Sequence, residues 1–417
     1  MIMRKPQSIS FEYALKQSGP VAFSTMVKPA GSMCNLDCNY CYYLDKSEQY
    51  AHNQPVMSES LLEEYIKQYI TANDVPEVSF LWHGGEPLLL GIDFYKKALA
   101  LQNKYALGKE INNSLQTNGI LLTDEWADFF SENNFLIGIS VDGPEDIHNS
   151  FRVNKAGKPT FKNVMNGLNI LKKHNTQFNT LSVVNKVSEG RGLEVYQFLK
   201  STGSHYMQFL PASEHIIERD GKRPLIVNPG TAGAVYAPWS VSSLAYGEFM
   251  FDIFKYWVKN DIGDYFVQLF DSTLAQHCNV APGLCSMNDT CGEALVVEHN
   301  GDVYPCDHFV YPDFKLGNIL ESPLLDIYRS QKRFDFGLNK KNSLPAECKS
   351  CKYLSVCRGE CPKHRFETSK LNDGNRNSLC EGFKFFFENS GPYMEYMRDL
   401  LIAGKSPQLV KYFTPKQ

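Results

Sequence analysis

Three cysteines near the start of the chain have a spacing that suits an iron-sulfur cluster. Cys34, Cys38 and Cys41 follow the pattern C-x-x-x-C-x-x-C, with Tyr40 just before the last of them. Three thiolates ligate three irons of a 4Fe-4S cubane, which leaves the fourth iron open to a small ligand such as S-adenosylmethionine (SAM). The spacing therefore predicts a cluster that binds and reduces SAM. A zinc site or buried structural thiols are the alternative, although zinc prefers four protein ligands and paired C-x-x-C spacings.

Eight further cysteines lie in the last third of the chain. They are Cys285, Cys291, Cys306, Cys348, Cys351, Cys357, Cys361 and Cys380. Eight thiolates match two fully ligated 4Fe-4S clusters. Zinc stays open as the occupant of the four cysteines between 348 and 361, because similar spacings occur in zinc folds, but the first triplet favours iron. Cys278 fits neither group, and a buried inert thiol is predicted there.

A glycine pair follows the cysteine triplet by one predicted strand and helix. The segment WHGGEP contains Gly84 and Gly85, and glycines let a backbone approach a ligand closely. An exposed carbonyl group in this turn can accept hydrogen bonds from the SAM ammonium group, and Glu86 adds negative charge. The pair is also typical of an ordinary tight turn. Its position at a strand end favours the SAM contact.

Polar residues also end the fourth predicted strand. Ser140 and Asp142 lie in GISVDGP, where side chains can bind ribose or carboxylate oxygens, and Arg152 follows at a distance that suits the SAM carboxylate. Each residue alone is equally typical of a turn or a cap. Their shared position at a strand end is what suggests a binding site.

Asp307 directly follows Cys306 in VYPCDHF. The preceding residues VVEHNGDVYPC predict a β-hairpin, with Asn300 and Gly301 as a type I′ turn. A carboxylate beside an anionic cluster is expected to have a raised proton affinity, which is useful in a general base. The residues alone favour a turn-forming aspartate.

Short β-rich runs alternate with helical patterns from about Thr25 to Pro211, and six βα units of this kind imply a parallel sheet. Residues 58–73 alternate with the period of an amphipathic helix, and Thr123 is predicted to cap another helix. The sheet either closes partly into a barrel or stays open and doubly wound. In both cases function gathers at the carboxyl ends of the strands.

The alternation stops after the sixth strand. A loop bearing Pro and Gly follows, and then a helix in GEFMFDIFKYWVKN, whose aromatic residues are predicted to pack in the core. The chain is divided into an N-terminal extension (1–24), a sheet domain (25–238), a connecting helical segment (239–282), a cysteine-rich domain (283–390) and a C-terminal tail (391–417).

Composition narrows the class of protein. Lysine plus arginine total 42 and aspartate plus glutamate 46, so the net charge of -4 gives no basic stripe, and nucleic acid is not an expected partner. The first residues do not resemble a signal peptide, and no apolar run reaches the roughly 18 residues of a membrane span, so membrane association is not expected. Metal binding in a reducing cytoplasm is then a better prediction for the cysteines than disulfides.

These segments together resemble the SPASM-type radical SAM enzymes and, among them, the anaerobic sulfatase-maturating enzymes. The resemblance runs from about Met26 to Phe387 and is carried by CNLDCNYCYY, WHGGEP, NSLQTNG, GISVDGP, GLCSMNDTC, VYPCD and the C-x-x-C-x5-C-x-x-x-C run. It implies an α/β fold: a partial (β/α)6 radical SAM barrel followed by a smaller cysteine-rich SPASM domain with a β-hairpin and helices. It also implies SAM and three 4Fe-4S clusters as cofactors.

The resemblance assigns roles to individual residues. Cys34, Cys38 and Cys41 would hold the SAM-binding cluster. The first auxiliary cluster would lie on Cys285, Cys291, Cys306 and Cys361, and the second on Cys348, Cys351, Cys357 and Cys380. SAM contacts would fall on Tyr40, Gly85, Ser140 and Arg152, and on Ser213, where the local sequence diverges, with Gly84, Glu86 and Asp142 beside them. Asp307 matches the catalytic base of the family, which reverses the preference for a turn residue.

The implied reaction is the oxidation of a serine or cysteine of an unfolded sulfatase segment to Cα-formylglycine. A 5′-deoxyadenosyl radical removes a hydrogen from Cβ, Asp307 takes the hydroxyl or thiol proton, and an auxiliary cluster accepts the second electron. The peptide would lie against Tyr43, His83, Gln116 and Gln208, although His83 stands where some members have glutamine.

The implied partners are a sulfatase polypeptide and a low-potential electron donor such as flavodoxin or ferredoxin. Another SPASM peptide maturase, for example one that forms thioether crosslinks, is the nearest alternative. A non-catalytic zinc-binding scaffold is an alternative of a different class.

Overall fold

The computed structural model describes residues 21–50 and 55–415. Most of the predicted N-terminal extension therefore lies outside the described residues. All six predicted strands form, and they are β1 (Ser24–Lys28), β2 (Glu77–Trp82), β3 (Glu110–Thr117), β4 (Leu136–Ser140), β5 (Phe178–Val184) and β6 (Tyr206–Pro211). They pair in parallel and in chain order. This order has no reversal, so the sheet is wound in one direction as in a barrel, and the doubly wound alternative is wrong.

Helices follow the strands and cover one face of the sheet. The α-helices are Lys46–Gln49, Glu59–Ala72, Ile92–Tyr105, Asp124–Glu132, Glu145–Phe151, Phe161–Lys173, Gly192–Ser201, Ser243–Asn260, Gln268–His277, Leu324–Tyr328, Gln331–Asn342, Ala346–Lys349, Leu354–Cys357 and Cys380–Ile402. Short 3-10 helices span Pro87–Leu90, Lys186–Ser188, Cys285–Met287, Asp307–Phe309, Pro312–Phe314, Pro362–His364 and Pro407–Tyr412.

Capping and aromatic packing explain the first helices. The Ser58 hydroxyl accepts a hydrogen bond from the Leu61 amide, and Thr123 caps its helix in the same way through the Trp126 amide, as its sequence predicts. Tyr65 and Tyr69 lie on the buried stripe of the Glu59–Ala72 helix and meet Phe80 of β2 edge to face. Alternate residues of each strand are thus covered by helices, and the others are left to face the interior of the barrel.

The sheet continues beyond the six strands in both directions. Strand β10 (Phe266–Val267) pairs with β6. Strand β11 (Ala294–Glu298) pairs in parallel with β1, and its Val297 lies opposite Val27. Strands β12 (Asp302–Tyr304) and β13 (Gly317–Asn318) then add two antiparallel pairs, which makes this a sheet of ten strands within the described residues. Since both β1 and β6 have other partners, the barrel stays open, as the (β/α)6 prediction requires.

The predicted hairpin forms, but its turn is not type I′. A type I′ turn needs a positive φ at both central residues, and only Gly301 has one (φ 88°). The Gly301 amide donates to the Glu298 carbonyl group at 2.9 Å, so His299, Asn300 and Gly301 form a three-residue loop. This geometry is a tight turn followed by a left-handed glycine, the next most common way of joining two antiparallel strands.

A small sheet fills the segment that the sequence presents as a loop. Strands β7 (His215–Ile217), β8 (Leu225–Val227) and β9 (Val235–Tyr236) pair in the order β8-β7-β9. Ile216 and Ile226 pack with Leu36, Cys38 and Tyr40 in an apolar cluster separate from the main core. This small sheet therefore forms one wall of the cysteine loop. A last pair, β14 (Glu367–Thr368) and β15 (Asn375–Arg376), lies near the C-terminal cysteines.

Among the described residues, no helix is both long and apolar enough to cross a membrane.

Candidate active site

The first three cysteines lie on one loop after β1. The loop is tied to the residues around Arg152, because the Asp37 and Asn39 amides donate to the Val153 and Phe151 carbonyl groups at 2.8 and 3.1 Å. Burial raises the pKa of Cys34 to about 11 and that of Cys38 to about 12. The charge of Cys41 raises both pKa values further, and that of Cys34 also raises the pKa of Cys38. The three thiols are therefore close enough to act as one ligand set.

The C-terminal cysteines separate into two groups of four. Burial raises the pKa of Cys361 and of Cys306, and the charges of Cys285 and Cys291 raise both further. Burial likewise raises the pKa of Cys357 and Cys348, and in this case the neighbouring charges come from Cys380 and, for Cys348, also from Cys351. The structure thus brings together the same two interleaved sets that the resemblance implies.

The three sets of cysteines suit iron-sulfur clusters better than single metal ions. Within the described ranges, no three His, Cys, Asp or Glu residues converge tightly enough to hold a single metal ion. A cubane does not require such convergence, because each thiolate binds a different iron. The sets of three, four and four thiols therefore fit 4Fe-4S clusters, one of which would keep an open iron.

The glycine turn packs against the cysteine loop. The Gly85 amide donates to the Gly31 carbonyl group and the Glu86 amide to the Met33 carbonyl group, both at 2.8 Å. A Cβ atom on Gly85 would overlap the Met33 carbonyl oxygen, and Gly84 has a positive φ of 123°. Only glycine permits this close approach. The turn therefore shapes the backbone just before Cys34.

Glu86, the next residue of this turn, is fully buried and accepts hydrogen bonds from the protein. One carboxylate oxygen accepts from the Leu88 amide (3.0 Å) and the Thr117 hydroxyl (2.8 Å), and the other accepts from the Asn118 amide (2.8 Å). Burial raises the pKa of Glu86 to about 7 despite these donors. Both oxygens are committed to protein donors, so the position of Glu86 gives no support to the expected contact with SAM.

Asp142 connects three predicted SAM contacts. It accepts hydrogen bonds from the Tyr40 hydroxyl and from the Val183 amide, and it lies 3.1 Å from Arg152 Nε. Burial is the largest influence on the pKa of Arg152 and would lower it, but Asp142, Tyr40 and Cys38 together outweigh burial and raise the pKa. The guanidinium also lies over the Tyr40 ring. Tyr40, Asp142 and Arg152 thus form one buried unit beside Cys38.

Ser140 and Gln116 meet inside the barrel. Gln116 Nε2 donates to Ser140 Oγ at 3.0 Å, and the amide side chain crosses β4 at Gly138, where a Cβ atom would overlap it. Ser213 is buried and shares a hydrogen bond of 2.8 Å with Ser378, two residues before Cys380. The strand-end positions are therefore linked both to each other and to the C-terminal cysteines.

Asp307 has two partners that the sequence did not indicate. Lys28, fully buried at the end of β1, forms an ion pair with Asp307, and the Tyr42 hydroxyl donates to the same carboxylate. Burial alone would raise the pKa of Asp307, but the charge of Lys28, with smaller effects of His83 and His308, holds it well below its ordinary value. In this structure the expectation of a raised proton affinity is wrong, because a buried lysine pairs with the carboxylate.

The residues predicted to contact the substrate peptide differ in their surroundings. Tyr43 is buried and donates its hydroxyl proton to Glu298, while its ring lies 3.5 Å from Lys28 Nζ. His83 accepts a hydrogen bond from the Gly84 amide, and burial lowers its pKa to about 4. Gln208 lies on β6 and lines a cavity of about 240 Å³ together with Asn179 and Gln268. Lys28, Tyr43, His83 and Asp307 are thus neighbours, and Gln208 lines a cavity to which none of these four belongs.

One sequence signal would have found Lys28. The residue lies in the run TMVKPA just before Pro29, where the strand has to end, and the carboxyl ends of barrel strands carry functional side chains. No comparable signal separates Tyr42 from Tyr43, since adjacent residues of a loop have no fixed side-chain period.

Two family models match the chain. The model of the radical SAM superfamily matches residues 29–199, and that of an iron-sulfur cluster-binding domain, SPASM, matches residues 285–352. The first match includes the cysteine triplet. The second includes five of the eight C-terminal cysteines, namely Cys285, Cys291, Cys306, Cys348 and Cys351.

Curated relatives match over almost the whole chain. A serine-type anaerobic sulfatase-maturating enzyme of Bacteroides thetaiotaomicron is 47% identical over 384 residues, which are 92% of this chain and 92% of the relative. A cysteine-type anaerobic sulfatase-maturating enzyme of Clostridium novyi is 32% identical, over 91% of this chain and 98% of the relative.

A solved structure is similar over the same extent. Native anSMEcpe with bound AdoMet and the Cp18Cys peptide aligns with a TM-score of 0.78 and 32% identity, over 90% of this chain and 99% of that chain. The likeness includes both cysteine-bearing regions described above.

Proposed function

The chain belongs to the anaerobic sulfatase-maturating enzymes, which are radical SAM enzymes, and on this premise we propose that it oxidises a serine in an unfolded sulfatase segment to Cα-formylglycine. Its cofactors are SAM and 4Fe-4S clusters. The observation that carries the proposal is the neighbourhood of Asp307, where a buried carboxylate held by Lys28 and Tyr42 directly follows a cysteine of the first auxiliary set.

Serine is the proposed target because the serine-type relatives share more of this sequence. The Bacteroides thetaiotaomicron and Klebsiella aerogenes enzymes, both serine-type, are 47% and 36% identical, against 32% for the cysteine-type enzyme of Clostridium novyi. Cysteine is then a secondary substrate or none.

Eleven cysteines are proposed to hold the clusters. Cys34, Cys38 and Cys41 would bind the cluster that carries SAM, and the two groups of four would bind the auxiliary clusters. When bound, SAM and the clusters supply a radical that removes a hydrogen from Cβ of the target residue and an acceptor for the second electron. The protein residues supply binding, orientation and proton transfer.

Proton removal is assigned to Asp307. The ion pair with Lys28 keeps the carboxylate ionised, and a base must be ionised to accept the hydroxyl proton of the target. Tyr42 fixes the orientation of the carboxylate through its hydrogen bond. Asp307 is 15% exposed in its side chain whereas Lys28 is fully buried, so the acid is the partner that a substrate can reach.

SAM is proposed to bind across the strand ends. Arg152, held by Asp142, would face the SAM carboxylate, with Tyr40, Gly84, Gly85, Ser140 and Ser213 around it. Glu86 and Asp142 would hold the residues around SAM in place, since both are buried and accept hydrogen bonds from protein donors. The peptide would pass His83 and Gln116, with buried Tyr43 and Gln208 of β6 as further walls of the cleft.

The cellular setting is part of the proposal. A low-potential donor such as flavodoxin or ferredoxin would supply the electron that reduces the SAM-binding cluster, and the enzyme would act in a reducing cytoplasm, where the clusters persist.

Mass spectrometry on matched peptides tests the proposal. The anaerobically reconstituted chain would receive SAM, a reductant and sulfatase-motif peptides that differ only in Ser or Cys at the target. A loss of about 2 Da from the serine peptide, with 5′-deoxyadenosine formed in step, is expected, and formylglycine from the cysteine peptide would appear as a loss of about 18 Da. SAM cleavage with both peptides unchanged would contradict the proposal.

A further inference from the structure

An arginine outside the predicted site contacts the loop that carries the first three cysteines. We propose that Arg223 is a positioning residue for the SAM-binding cluster, and that its guanidinium holds the cysteine loop in the conformation that presents Cys38 and Cys41 to iron. The inference rests on the proposed assignment of that cluster to the first three cysteines. Arg223 precedes β8, so the contact comes from the small sheet and not from the barrel.

One nitrogen of Arg223 binds three backbone carbonyl groups of this loop. Nη2 lies 2.6 Å from the Cys38 carbonyl oxygen, 2.9 Å from that of Asn39 and 3.1 Å from that of Cys41. Two of these carbonyl groups belong to residues whose thiols are proposed iron ligands. Since carbonyl groups that point the same way repel each other, a cation at their focus stabilises this turn of the loop.

Two carboxylates hold the guanidinium in place. Nη1 donates to Asp37 Oδ1 at 2.9 Å, and Nε lies 3.7 Å from Asp45 Oδ1. Asp37 and Asp45 flank the last two cysteines of the triplet in sequence. Arg223 is thus bonded on both sides of the same loop, and its side chain is only 22% exposed.

The support of Arg223 is rigid. Ile216 and Ile226 of the small sheet are buried against Leu36 and Cys38. Just before β7, Glu214 pairs with buried Lys363 at 3.1 Å, and His215 stacks on Phe366 at 3.8 Å between ring centres. The small sheet is therefore anchored to the segment after Cys361, and Arg223 has a fixed position relative to both cysteine regions.

A cation in this position has two expected effects. Groups behind metal ligands orient them, and losing one typically lowers metal affinity or activity by about 10- to 100-fold. A nearby positive charge also favours the more negative reduced state of a cluster, so its removal shifts the reduction potential to a more negative value. Asp37 and Asp45 would then be left without their partner, which increases the shift in the same direction.

The test compares Arg223→Gln with Arg219→Gln in the full reconstituted chain. Arg219 is the comparison, since it lies on the same hairpin and is 21% exposed, and its Nη1 pairs with Glu48 at 2.9 Å. Its Nε donates to the Arg223 backbone carbonyl group at 2.9 Å, so the variant removes a cation beside Arg223 and leaves the contacts of the Arg223 guanidinium with the loop in place. The measurements are the iron content, the reduction potential of the SAM-binding cluster and the change in its reduced EPR signal as SAM is added.

The Arg223→Gln variant is expected to need about 10- to 100-fold more SAM for the same spectral change and to show a more negative potential, while the auxiliary signals and the Arg219→Gln control match the wild type. An unchanged SAM dependence and potential in Arg223→Gln would overturn the inference. A wild-type signal that does not respond to SAM would instead overturn the proposed function, and the inference with it.

A second variant decides the matter if Arg223→Gln does not fold. Lysine keeps the charge but lacks the planar fork that reaches several acceptors at once. The Arg223→Lys variant should therefore keep a potential near that of the wild type and still require more SAM. Wild-type values of both quantities in this variant would overturn the inference.

Discussion

Lys28 and Asp307 form a buried ion pair that links the carboxyl end of β1 to the residue after Cys306. Lys28 is fully buried and the Asp307 side chain is 15% exposed, and the lysine ammonium group also lies over the Tyr43 ring. Each charge is acceptable in this position only because the other is present. The pair therefore joins the barrel to the second cysteine region at the proposed catalytic base.

Replacement of Lys28 by methionine should lower both stability and formylglycine yield. The variant leaves the carboxylate buried without its partner, and breaking a buried pair in this way costs about 3 to 5 kcal/mol. Thermal unfolding of the apoprotein and peptide mass spectrometry would measure the two effects. Lys315→Met is the control, because Lys315 pairs with Asp302 but is 39% exposed, and about 1 kcal/mol or less is expected there. Equal losses in the two variants would contradict the role of Lys28.

The Asp307→Asn variant should keep its clusters and still cleave SAM, but form little formylglycine. Asparagine preserves the size of the side chain and removes the proton acceptor. The ratio of formylglycine to 5′-deoxyadenosine measures this uncoupling. Asp302→Asn provides a comparison, since Asp302 is also a buried aspartate paired with a lysine and lies outside the proposed site. A wild-type ratio in Asp307→Asn would remove Asp307 from the mechanism.

A methyl group at position 85 should disturb the SAM-binding cluster selectively. In Gly85→Ala the new Cβ atom overlaps the Met33 carbonyl oxygen, so the backbone before Cys34 has to shift. We expect fewer irons per chain after reconstitution and a weaker response of the EPR signal to SAM. Gly391→Ala is the control, because apart from its own helix and chain neighbours nothing lies within 4 Å of its Cβ position, and it lies in the C-terminal helix, far along the chain from the cysteine loop. Intact iron content in Gly85→Ala would show that the turn tolerates the shift.

His148 should make the apoprotein less stable as the pH falls from 6.5 towards 4. The residue is 1% exposed, and burial lowers its pKa to about 4, with Asp142 opposing this change and Arg152 adding to it. The unfolded chain then binds the proton more readily, so stability is fully present above the unfolded pKa and is lost below it. At pH 5 the loss from one such histidine is about 2 kcal/mol.

Melting temperatures at pH 7 and pH 5 test this dependence on His148. In His148→Gln the fall between the two values should be smaller than in the wild type. His205→Gln is the control, because His205 is exposed and bonded only to a backbone carbonyl group. The same fall in His148→Gln and the wild type would assign the acid sensitivity to other groups.

The six barrel strands could be predicted because each one is a short β-rich run that lies between helical patterns. The pairing of β11 with β1 could not, since two parallel strands far apart in the chain leave no local signal of their contact. Strands β7, β8 and β9 were missed for another reason: each has only two or three residues, which is too short for a period to be visible.

The site shows the same division. The cysteines, Gly85 and Arg152 carry recognisable motifs, so a sequence shows them. Arg223 depends on which loops fold against each other, and an arginine at such a place looks like any surface cation in the sequence. The strand-end position of Lys28 is a signal, but its pairing with Asp307 is not visible before the fold is known. Glu86 and Asp142 show what a motif leaves out: the prediction places them at the SAM site, and the structure adds that their oxygens already bind protein donors.

The pairing of β1 with β11 has a consequence for how the chain is made. During synthesis β1 leaves the ribosome long before β11 exists, and until then one side of it is a row of unpaired N–H and C=O groups. Such an open edge is a template for aggregation. A chain cut before residue 294 would keep that edge permanently. The C-terminal region therefore also protects the barrel from aggregation, because it supplies the strand that covers β1.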